Sequence, residues 1–299
     1  MATSMVGFWL PAKGPALSPT VSDLPQLTRP LVMGVLNVTP DSFSDGGEWF
    51  DPADAIAHGR QLAAEGADLV DVGGESTRPG AGLVGAEEEL RRVVPVIRQL
   101  AGDGVLVSID TMHARVAEAA VAAGARVVND VSGGRADPDM LAVVAELDVP
   151  YVCMHWRAHS AEMQSRAVYD DVVGEVVAEL AEQVDAALSA GVRRDHLVVD
   201  PGIGFAKRAE HNWEILRRLS ELDVLGLPVL IGVSRKTFLG TLLADGAGNP
   251  RPAADRDDAT VALTALTAQQ VWGVRVHRVR PSRDAIAVAQ SLGSQGFRA

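Results

Sequence analysis

The feature that most constrains the fold of this chain is an alternation of short apolar runs with helical segments. The apolar runs are nearly continuous, which is typical of parallel strands covered on both faces. Eight such runs are found, at residues 31–37, 68–74, 105–110, 126–130, 151–156, 196–202, 229–234 and 273–277. Strands and helices in strict alternation predict an α/β protein, and eight of each predict a (β/α)8 TIM barrel in a single domain.

The segments between these runs carry helix start and stop signals. The stretch DPADAIAHGRQLAAEGA begins with Asp, has Pro in its first turn and ends near Gly, which is the expected order of capping residues. An open, doubly wound sheet is the alternative for such an alternation. No predicted strand leads into a G-x-G-x-x-G turn, so dinucleotide binding on such a sheet has no support and the barrel is favoured.

The barrel is predicted to occupy residues 30–293. Four prolines lie among Ser, Thr and Gly in residues 1–29, which predicts a flexible leader. Residues 294–299 are predicted to be a C-terminal tail. A chain of 299 residues that is 47% hydrophobic is long enough to bury the core of one such barrel.

Charge and cysteine content exclude several classes of protein. The formal net charge is −12 and there is no basic block, so no nucleic-acid partner is expected. No apolar run approaches the roughly 18–20 residues that span a bilayer, and the N-terminus lacks the basic region of a signal peptide. The single cysteine, Cys153, rules out an intramolecular disulfide. We therefore expect a cytoplasmic protein without a membrane partner.

Polar or ionisable side chains mark the carboxyl ends of all eight predicted strands. They are Asn37, Asp71, Asp110, Asn129 with Asp130, His155, Asp200, Ser234 with Lys236, and Arg275 with His277. A single Asp at such a point is most often a helix cap. Asn37, His155 and Arg275 are poor matches to that task, and barrel enzymes carry their active sites at these strand ends. The set predicts an enzyme site at one mouth of the barrel.

The residue types indicate what this mouth binds. Asp and Asn at adjacent strand ends suit a planar heterocycle that presents several N–H donors, because carboxylates bind such edges with two hydrogen bonds. Lys236, Arg275 and His277 lie where barrels commonly bind phosphate. An ion pair at the rim is the alternative role for Arg275 and His277. Asn37 offers an oxygen ligand for Mg²⁺. Motifs for zinc hydrolysis or serine acyl transfer are absent from the sequence.

Two glycine-rich loops follow the first two strands. They are DSFSDGG at 41–47 and GGESTRPGA at 73–81. Glycine hinges would let both loops fold over the mouth as lids, although glycine also occurs in such loops for steric reasons alone.

These motifs together resemble the bacterial dihydropteroate synthases, the folate-pathway enzymes that sulfonamides inhibit. The similarity extends over about residues 31–290, in the same order and spacing. The matching segments are MGVLNVTPDSFSDGG (33–47), DVGGESTRPGA (71–81), SIDT (108–111), VNDVSGG (128–134), MHWR (154–157), DPGIGFAK (200–207), GVSRKTFLG (232–240) and VRVH (274–277).

The resemblance implies a reaction and a set of roles. The (7,8-dihydropterin-6-yl)methyl group would pass from its diphosphate ester to 4-aminobenzoate, with Mg²⁺ assisting, in a homodimer packed through the last helices. It implies that Asp45, Asp110 and Lys236 are catalytic. The pterin and diphosphate would contact Thr77, Asp110, Asn129, Met154, Asp200, Lys236, Arg275 and His277. The 4-aminobenzoate pocket would comprise Phe43, Thr77, Arg78, Pro79, Phe205 and Thr237, and Asn37 would contact the metal.

The mechanism that the resemblance implies is dissociative, of the SN1 type. Neutralised diphosphate is a good leaving group, and carboxylates around the pterin stabilise the positive charge left behind. An arylamine needs no strong base, which agrees with the absence of an activated nucleophile. Two alternatives remain, a pterin-dependent methyltransferase and a non-catalytic pterin-binding paralogue. A paralogue is expected to have lost motif residues, and none is missing.

Overall fold

The protein is a parallel β-barrel surrounded by helices, seen in a computed structural model that describes residues 21–39, 52–75, 84–159 and 162–293. The strands are β1 (Leu31–Asn37), β2 (Leu69–Gly73), β3 (Val107–Asp110), β4 (Val127–Asp130), β5 (Tyr151–Met154), β6 (Leu197–Asp200), β7 (Leu230–Ile231) and β8 (Gly273–Val276). Their order in the sheet is β6-β5-β4-β3-β2-β1-β8-β7. A bridge between Val199 and Val229 joins the two ends. The predicted (β/α)8 barrel is confirmed.

Helices lie between successive strands. In the described part of the chain they are α1 (Pro52–Ala64), α2 (Ala86–Gly102), α3 (Ala114–Ala122), α4 (Met140–Leu147), α5 (Val172–Ser189), α6 (Ala209–Arg217), α7 (Thr237–Leu242), α8 (Asp257–Thr267) and α9 (Val279–Gly293). Helix α2 shows why they form: it has three glutamates in its first turn and buries Val93, Ile97 and Leu100 at helical spacing. None of the helices in these described ranges is long and apolar enough to cross a membrane.

The strands divide the hydrophobic core into two parts. Residues such as Val128, Tyr151 and Val199 pack outward against the helices. The alternate residues face the barrel interior, where the lower layers contain Leu31, Met33, Leu69, Val127, Val152, Val198 and Leu230. Since successive side chains of a strand point to opposite faces, this division also decides which strand-end groups face the interior.

The segment before β1 closes the amino-terminal end of the barrel. The predicted flexible leader covers residues 1–29, and the structure describes it from Val21. Val21 and Leu24 are buried in the same cluster as the barrel interior, and the Ser22 backbone N–H donates to the Asp195 carbonyl at 3.0 Å. Arg29 pairs with Asp68 at 2.6 Å. Residues 21–29 are therefore part of the folded barrel, because their apolar side chains cover its open end.

Candidate active site

The opposite, carboxyl end of the barrel interior is polar. Asp71, Asp110, Asn129 and Asp200 each lie two residues beyond an inward-facing residue on their own strand, and all four are less than 10% exposed. Met154 pairs with Asp200 across β5 and β6. The strand pairing therefore brings together four of the predicted pterin ligands, Asp110, Asn129, Met154 and Asp200, at one mouth.

Asp71 is the centre of a hydrogen-bond network in this mouth. Its Oδ2 accepts from the Arg275 Nε at 2.6 Å and from the Asn129 Nδ2 at 2.9 Å. Arg275 also donates from Nη2 to Asp110 Oδ2 at 2.6 Å. The sequence left open that Arg275 forms an ion pair at the barrel rim. The structure shows this ion pair inside the pocket, with Asp71 and Asp110. The sequence identifies Asp71 only as a strand end, because its role depends on contacts with strands distant in sequence.

Burial controls the charges of these groups. It raises the pKa of the Asp110 carboxyl, and the neighbouring Arg275 guanidinium opposes this shift. Burial also raises the pKa of Asp200, opposed by the Gly202 N–H, which donates to its Oδ1 at 2.7 Å. For Arg275, burial favours the neutral form, but Asp71 and Asp110 outweigh it and raise the pKa. Arg275 therefore remains a guanidinium between the carboxyl groups of Asp71 and Asp110.

Lys236 and Phe205 are in contact at the side of the mouth. The Lys236 Nζ lies 4.0 Å from the centre of the Phe205 ring, a cation–π distance. Burial, with a smaller contribution from Arg275, lowers the pKa of Lys236 to about 8. Gly204 makes this approach possible, since it has φ +83° and a Cβ there would lie 2.9 Å from the Lys236 side chain. Thr237 follows as the exposed first residue of α7.

His277 lies beside Ser234 at the ends of β8 and β7. The distance between His277 Nδ1 and Ser234 Oγ is 2.9 Å, and the Ser234 Oγ also accepts from the His277 backbone N–H at 3.2 Å. Burial, followed by the charges of Arg235 and Arg275, lowers the pKa of His277 to about 3. A neutral imidazole can bind an anion only as a hydrogen-bond donor, not as a cation.

Two of the strand-end side chains, Asp130 and His155, do not join the site, so the prediction that the polar strand ends converge on one pocket is wrong for these two. Asp130 faces away from the interior, where it accepts from the Ser132 and Gly134 backbone N–H groups and the Tyr151 hydroxyl. His155 lies behind Met154 in the same way. Each follows an inward-facing residue directly, and adjacent residues of a strand face opposite sides.

His155 belongs to a second network behind the pocket, which the sequence does not reveal. Its Nε2 lies 2.9 Å from Glu179 Oε2 and its Nδ1 lies 2.9 Å from Lys207 Nζ. Burial, then Lys207, lowers the pKa of His155 to about 3, so the ring is neutral and accepts from Lys207. Burial also lowers the pKa of Lys207 to about 7. The only sequence signal for Lys207 is an ionisable residue at the end of DPGIGFAK.

The remaining predicted site residues are placed as follows. Asn37 ends β1, is partly exposed at the mouth and pairs with Gly73. Phe43, Asp45, Thr77, Arg78 and Pro79 lie outside the described residues, as do the whole of the first predicted lid and residues 76–81 of the second.

A closed barrel with ionisable groups converging at its carboxyl mouth defines an enzyme of the α/β-barrel class. The sequence profile of the family described as "Pterin binding enzyme" matches residues 33–280. The chain therefore belongs to the pterin-binding enzyme family.

Comparison with individual relatives supports this family assignment. The dihydropteroate synthase of Mycobacterium leprae (strain TN) is 56% identical over 259 residues, which is 86% of this chain and 91% of the relative. The structure of Xanthomonas albilineans dihydropteroate synthase with 4-aminobenzoic acid matches with a TM-score of 0.83 and 45% identity, covering 90% of this chain and 95% of that one. The same enzyme in complex with 7,8-dihydropteroate matches with a TM-score of 0.80 and 43% identity, covering 91% and 96%.

Proposed function

We infer that the protein catalyses the condensation of (7,8-dihydropterin-6-yl)methyl diphosphate with 4-aminobenzoate. The products are 7,8-dihydropteroate and diphosphate, in folate biosynthesis. The observation that carries this inference is one mouth in which the acceptors Asp110, Asn129 and Asp200 face the cations Lys236 and Arg275, in a chain whose relatives are dihydropteroate synthases.

The acceptors fit the hydrogen-bonding edge of a pterin. A pterin presents an amino group and ring N–H groups in one plane, and carboxylate and amide oxygens accept from such donors. We assign Asp110, Asn129 and Asp200 to this edge, with Met154 packed on the ring and Lys236 donating to it. All of them except Lys236 lie in the carboxyl-terminal part of a barrel strand, so strand pairing holds their backbone.

The cations fit the leaving diphosphate. Arg275 uses Nε and Nη2 for Asp71 and Asp110, and its Nη1 makes no hydrogen bond to the part of the chain that the structure describes. We assign this N–H group and the neutral His277 ring to the diphosphate. The ionised carboxylates would stabilise the positive charge that develops on the pterin methylene carbon as the C–O bond breaks, which favours a dissociative mechanism.

Mg²⁺ is part of the proposal, with Asn37 as its contact. β1 pairs with both β2 and β8, so Asn37 lies between the strands that carry Asp71 and Arg275. An amide oxygen is a suitable ligand, and Mg²⁺ commonly binds through few protein oxygens together with substrate phosphates. When bound, the ion would neutralise charge on the departing diphosphate.

The 4-aminobenzoate pocket is proposed to lie beside Lys236. Phe205, which contacts Lys236, and Thr237, which follows it in the chain, would form the described part of the wall. Phe43, Thr77, Arg78 and Pro79 would complete it. Asp45 would join the site from the first loop. Sulfonamides, which resemble 4-aminobenzoate, are expected to compete for this pocket.

We further propose a cytoplasmic homodimer formed through α8 and α9. These helices lie side by side, with the Gln269 Nε2 donating to the Ala289 carbonyl at 3.1 Å. They present three exposed apolar side chains, Leu266, Val288 and Leu292, at 72%, 59% and 68% exposure. Val288 and Leu292 lie one helical turn apart on the same face of α9, and exposed apolar residues on two packed helices are a candidate interaction surface. A single buried cysteine agrees with a reducing compartment.

An assay of product formation tests the function. Purified protein with the pterin diphosphate, 4-aminobenzoate and Mg²⁺ is expected to release diphosphate and form 7,8-dihydropteroate in equal amounts. Omission of 4-aminobenzoate is the control for simple hydrolysis. Pterin binding without product would indicate a non-catalytic paralogue. No reaction with these substrates, but methyl transfer when a methylated pterin and a methyl acceptor are supplied, would indicate a pterin-dependent methyltransferase.

A further inference from the structure

A cluster of potential metal ligands lies outside the barrel mouth, between the end of β2 and helices α2 and α3. It consists of Glu75, Glu89 and His113, and one ligand atom from each lies within 4.8 Å of the other two. His113 Nδ1 and Glu89 Oε2 are 2.8 Å apart, a hydrogen-bonded contact. A tetrahedral cation with ligands at roughly 2.1 Å holds two ligand atoms about 3.4 Å apart, so an ion would enter this cluster by replacing that hydrogen bond with a small separation of the two side chains.

Glu89 is the buried member of this cluster. Its side chain is 1% exposed, and its second oxygen, Oε1, has no hydrogen-bond partner in the described parts of the chain. A buried carboxylate oxygen without a partner is costly, since it has lost its hydration without replacement. The His113 contact satisfies only one of the two oxygens, so a simple ion pair leaves the other unexplained.

The backbone holds Glu75 against this buried carboxylate. Gly74 packs on Glu89, and a Cβ at Gly74 would lie 2.8 Å from the Glu89 Cγ. The Glu75 Oε2 accepts from the Val84 N–H at 3.4 Å. The nearby cation Arg92 makes its hydrogen bonds to Glu88 and to the Gly74 carbonyl instead. The two carboxyl groups of the cluster are therefore close to each other, and His113 is hydrogen-bonded to one of them, Glu89.

His113 is placed for ligation rather than for helix capping. It is the N-cap residue of α3, a position that favours Ser, Thr, Asp or Asn, and its side chain makes no capping hydrogen bond. Asp137 accepts from the Ala114 N–H at 2.8 Å in its place. The imidazole instead points towards α2, where its Nδ1 meets Glu89.

We propose that Glu75, Glu89 and His113 bind one divalent transition-metal cation of the Zn²⁺ class. Two carboxylates and one imidazole form an N/O ligand set that suits Zn²⁺ and its neighbours, whereas Mg²⁺ prefers oxygen ligands alone. Three protein ligands leave at least one coordination position for water. This site is separate from the Mg²⁺ contact at Asn37 and does not depend on the proposed synthase activity.

Equilibrium dialysis tests the site directly. Untagged, chelator-treated protein is dialysed against Zn²⁺ in an excess of Mg²⁺, which saturates oxygen-only sites, and bound zinc is measured by elemental analysis. The expected result is one Zn²⁺ per chain, and Co²⁺ in its place should give a visible absorption band from the nitrogen and oxygen ligands. His113→Ala should weaken binding by about tenfold or more, because a ligand is lost.

The matched control is His159→Ala, which removes an exposed histidine that is not part of the cluster. It should bind zinc like the unmodified protein. If His113→Ala does not fold, as judged by circular dichroism, Glu75→Gln replaces it with the same expectation. The proposal is overturned if the unmodified protein binds no zinc, or if removal of a ligand leaves the affinity unchanged.

Discussion

Asp71 shows how one buried carboxylate organises the pocket. A single oxygen accepts from both Arg275 and Asn129, so the positions of a predicted diphosphate ligand and a predicted pterin ligand depend on it. The other oxygen, Oδ1, is buried without a hydrogen-bond partner among the described residues. Asp71 is a positioning residue, because it acts through the two side chains that it holds.

Asp71→Asn is therefore expected to lower kcat/KM for the pterin diphosphate by about two orders of magnitude. The loss of a buried ion-pair partner commonly costs about 3–5 kcal/mol, part of which would appear as misplacement of Arg275. Steady-state kinetics measures the effect, with Asp139→Asn as an exposed control. Unchanged kinetics in a folded Asp71→Asn protein would show that Arg275 is held in place without it.

Asp110 is expected to act on the transition state more than on pterin binding. Asp110→Asn keeps the shape of the side chain and one acceptor oxygen but removes the negative charge that faces the developing cation. Turnover should fall by about 100-fold or more, which is typical when one electrostatic stabiliser is removed. Pterin affinity, measured by calorimetry, should change much less. An equal loss in affinity and turnover would contradict the charge-stabilising role.

The lowered pKa of Lys236 predicts that the activity depends on pH. With its pKa lowered to about 8, the ammonium is charged below this pH and loses its proton above it. The value of kcat/KM for the pterin diphosphate should therefore fall as the pH rises through about 8. Lys236→Arg keeps its charge at higher pH and should move this fall upwards, even at lower absolute activity. A fall at the same pH in both proteins would assign it to another group.

At the scale of elements, strand alternation separates two polar networks that lie one residue apart. Asn129 and Met154 face the pocket, while Asp130 and His155 face the helices. The outer groups stabilise the loops: Asp130 binds the turn after β4, and His155 links β5 to α5 through Glu179. The turn at Gly202 lies against this region. Its φ is +68°, and a Cβ at this position would lie only 2.5 Å from the His155 carbonyl oxygen.

The lowered pKa of His155 predicts that the free energy of unfolding decreases in acid. Its pKa is about 3 in the folded protein against about 6.5 when unfolded, so the unfolded chain binds more protons between these values. The stabilisation is present above pH 6.5 and is lost as the pH falls towards 3. From pH 7 to pH 5 the loss amounts to about 2 kcal/mol for one histidine.

Urea unfolding at pH 5 and pH 7 measures this linkage. His155→Gln cannot titrate, so the difference in unfolding free energy between the two pH values should shrink by about 2 kcal/mol relative to the unmodified protein. His277, which has a similarly lowered pKa, is present in both proteins and cancels. The same pH difference in both proteins would show that His155 does not contribute.

At the scale of the whole molecule, the proposed dimer rests on the face formed by α8 and α9. Replacement of both Leu266 and Leu292 by Glu would place like charges in that interface, and light scattering should then report a monomer. Val224→Glu, at an equally exposed apolar position outside these two helices, is the control and should leave the dimer intact. A monomeric unmodified protein, or a dimer that survives the double change, would contradict this interface.

The barrel could be predicted from the sequence because its signals are local. Each strand is an apolar run of the length that a buried strand needs, and the interruptions carry capping and turn residues. The location of the site could also be predicted, because the active sites of such barrels lie at the carboxyl ends of the strands. Asp110, Asn129 and Asp200 are identifiable in this way, and they converge in the structure with Met154, which only the family resemblance implied.

The sequence by itself thus determined the repeating α/β pattern, the number of strands and most of the residues at the mouth. Only the tertiary structure decided which neighbour in Asn129–Asp130 or Met154–His155 faces the pocket, because the strand register is set by packing on both faces. The tertiary structure also decided three sets of contacts between distant residues: those of Asp71 with Asn129 and Arg275, that of His155 with Lys207, and the cluster of Glu75, Glu89 and His113. Hydrogen bonds between residues distant in the chain form only when the barrel closes, and no local pattern encodes them.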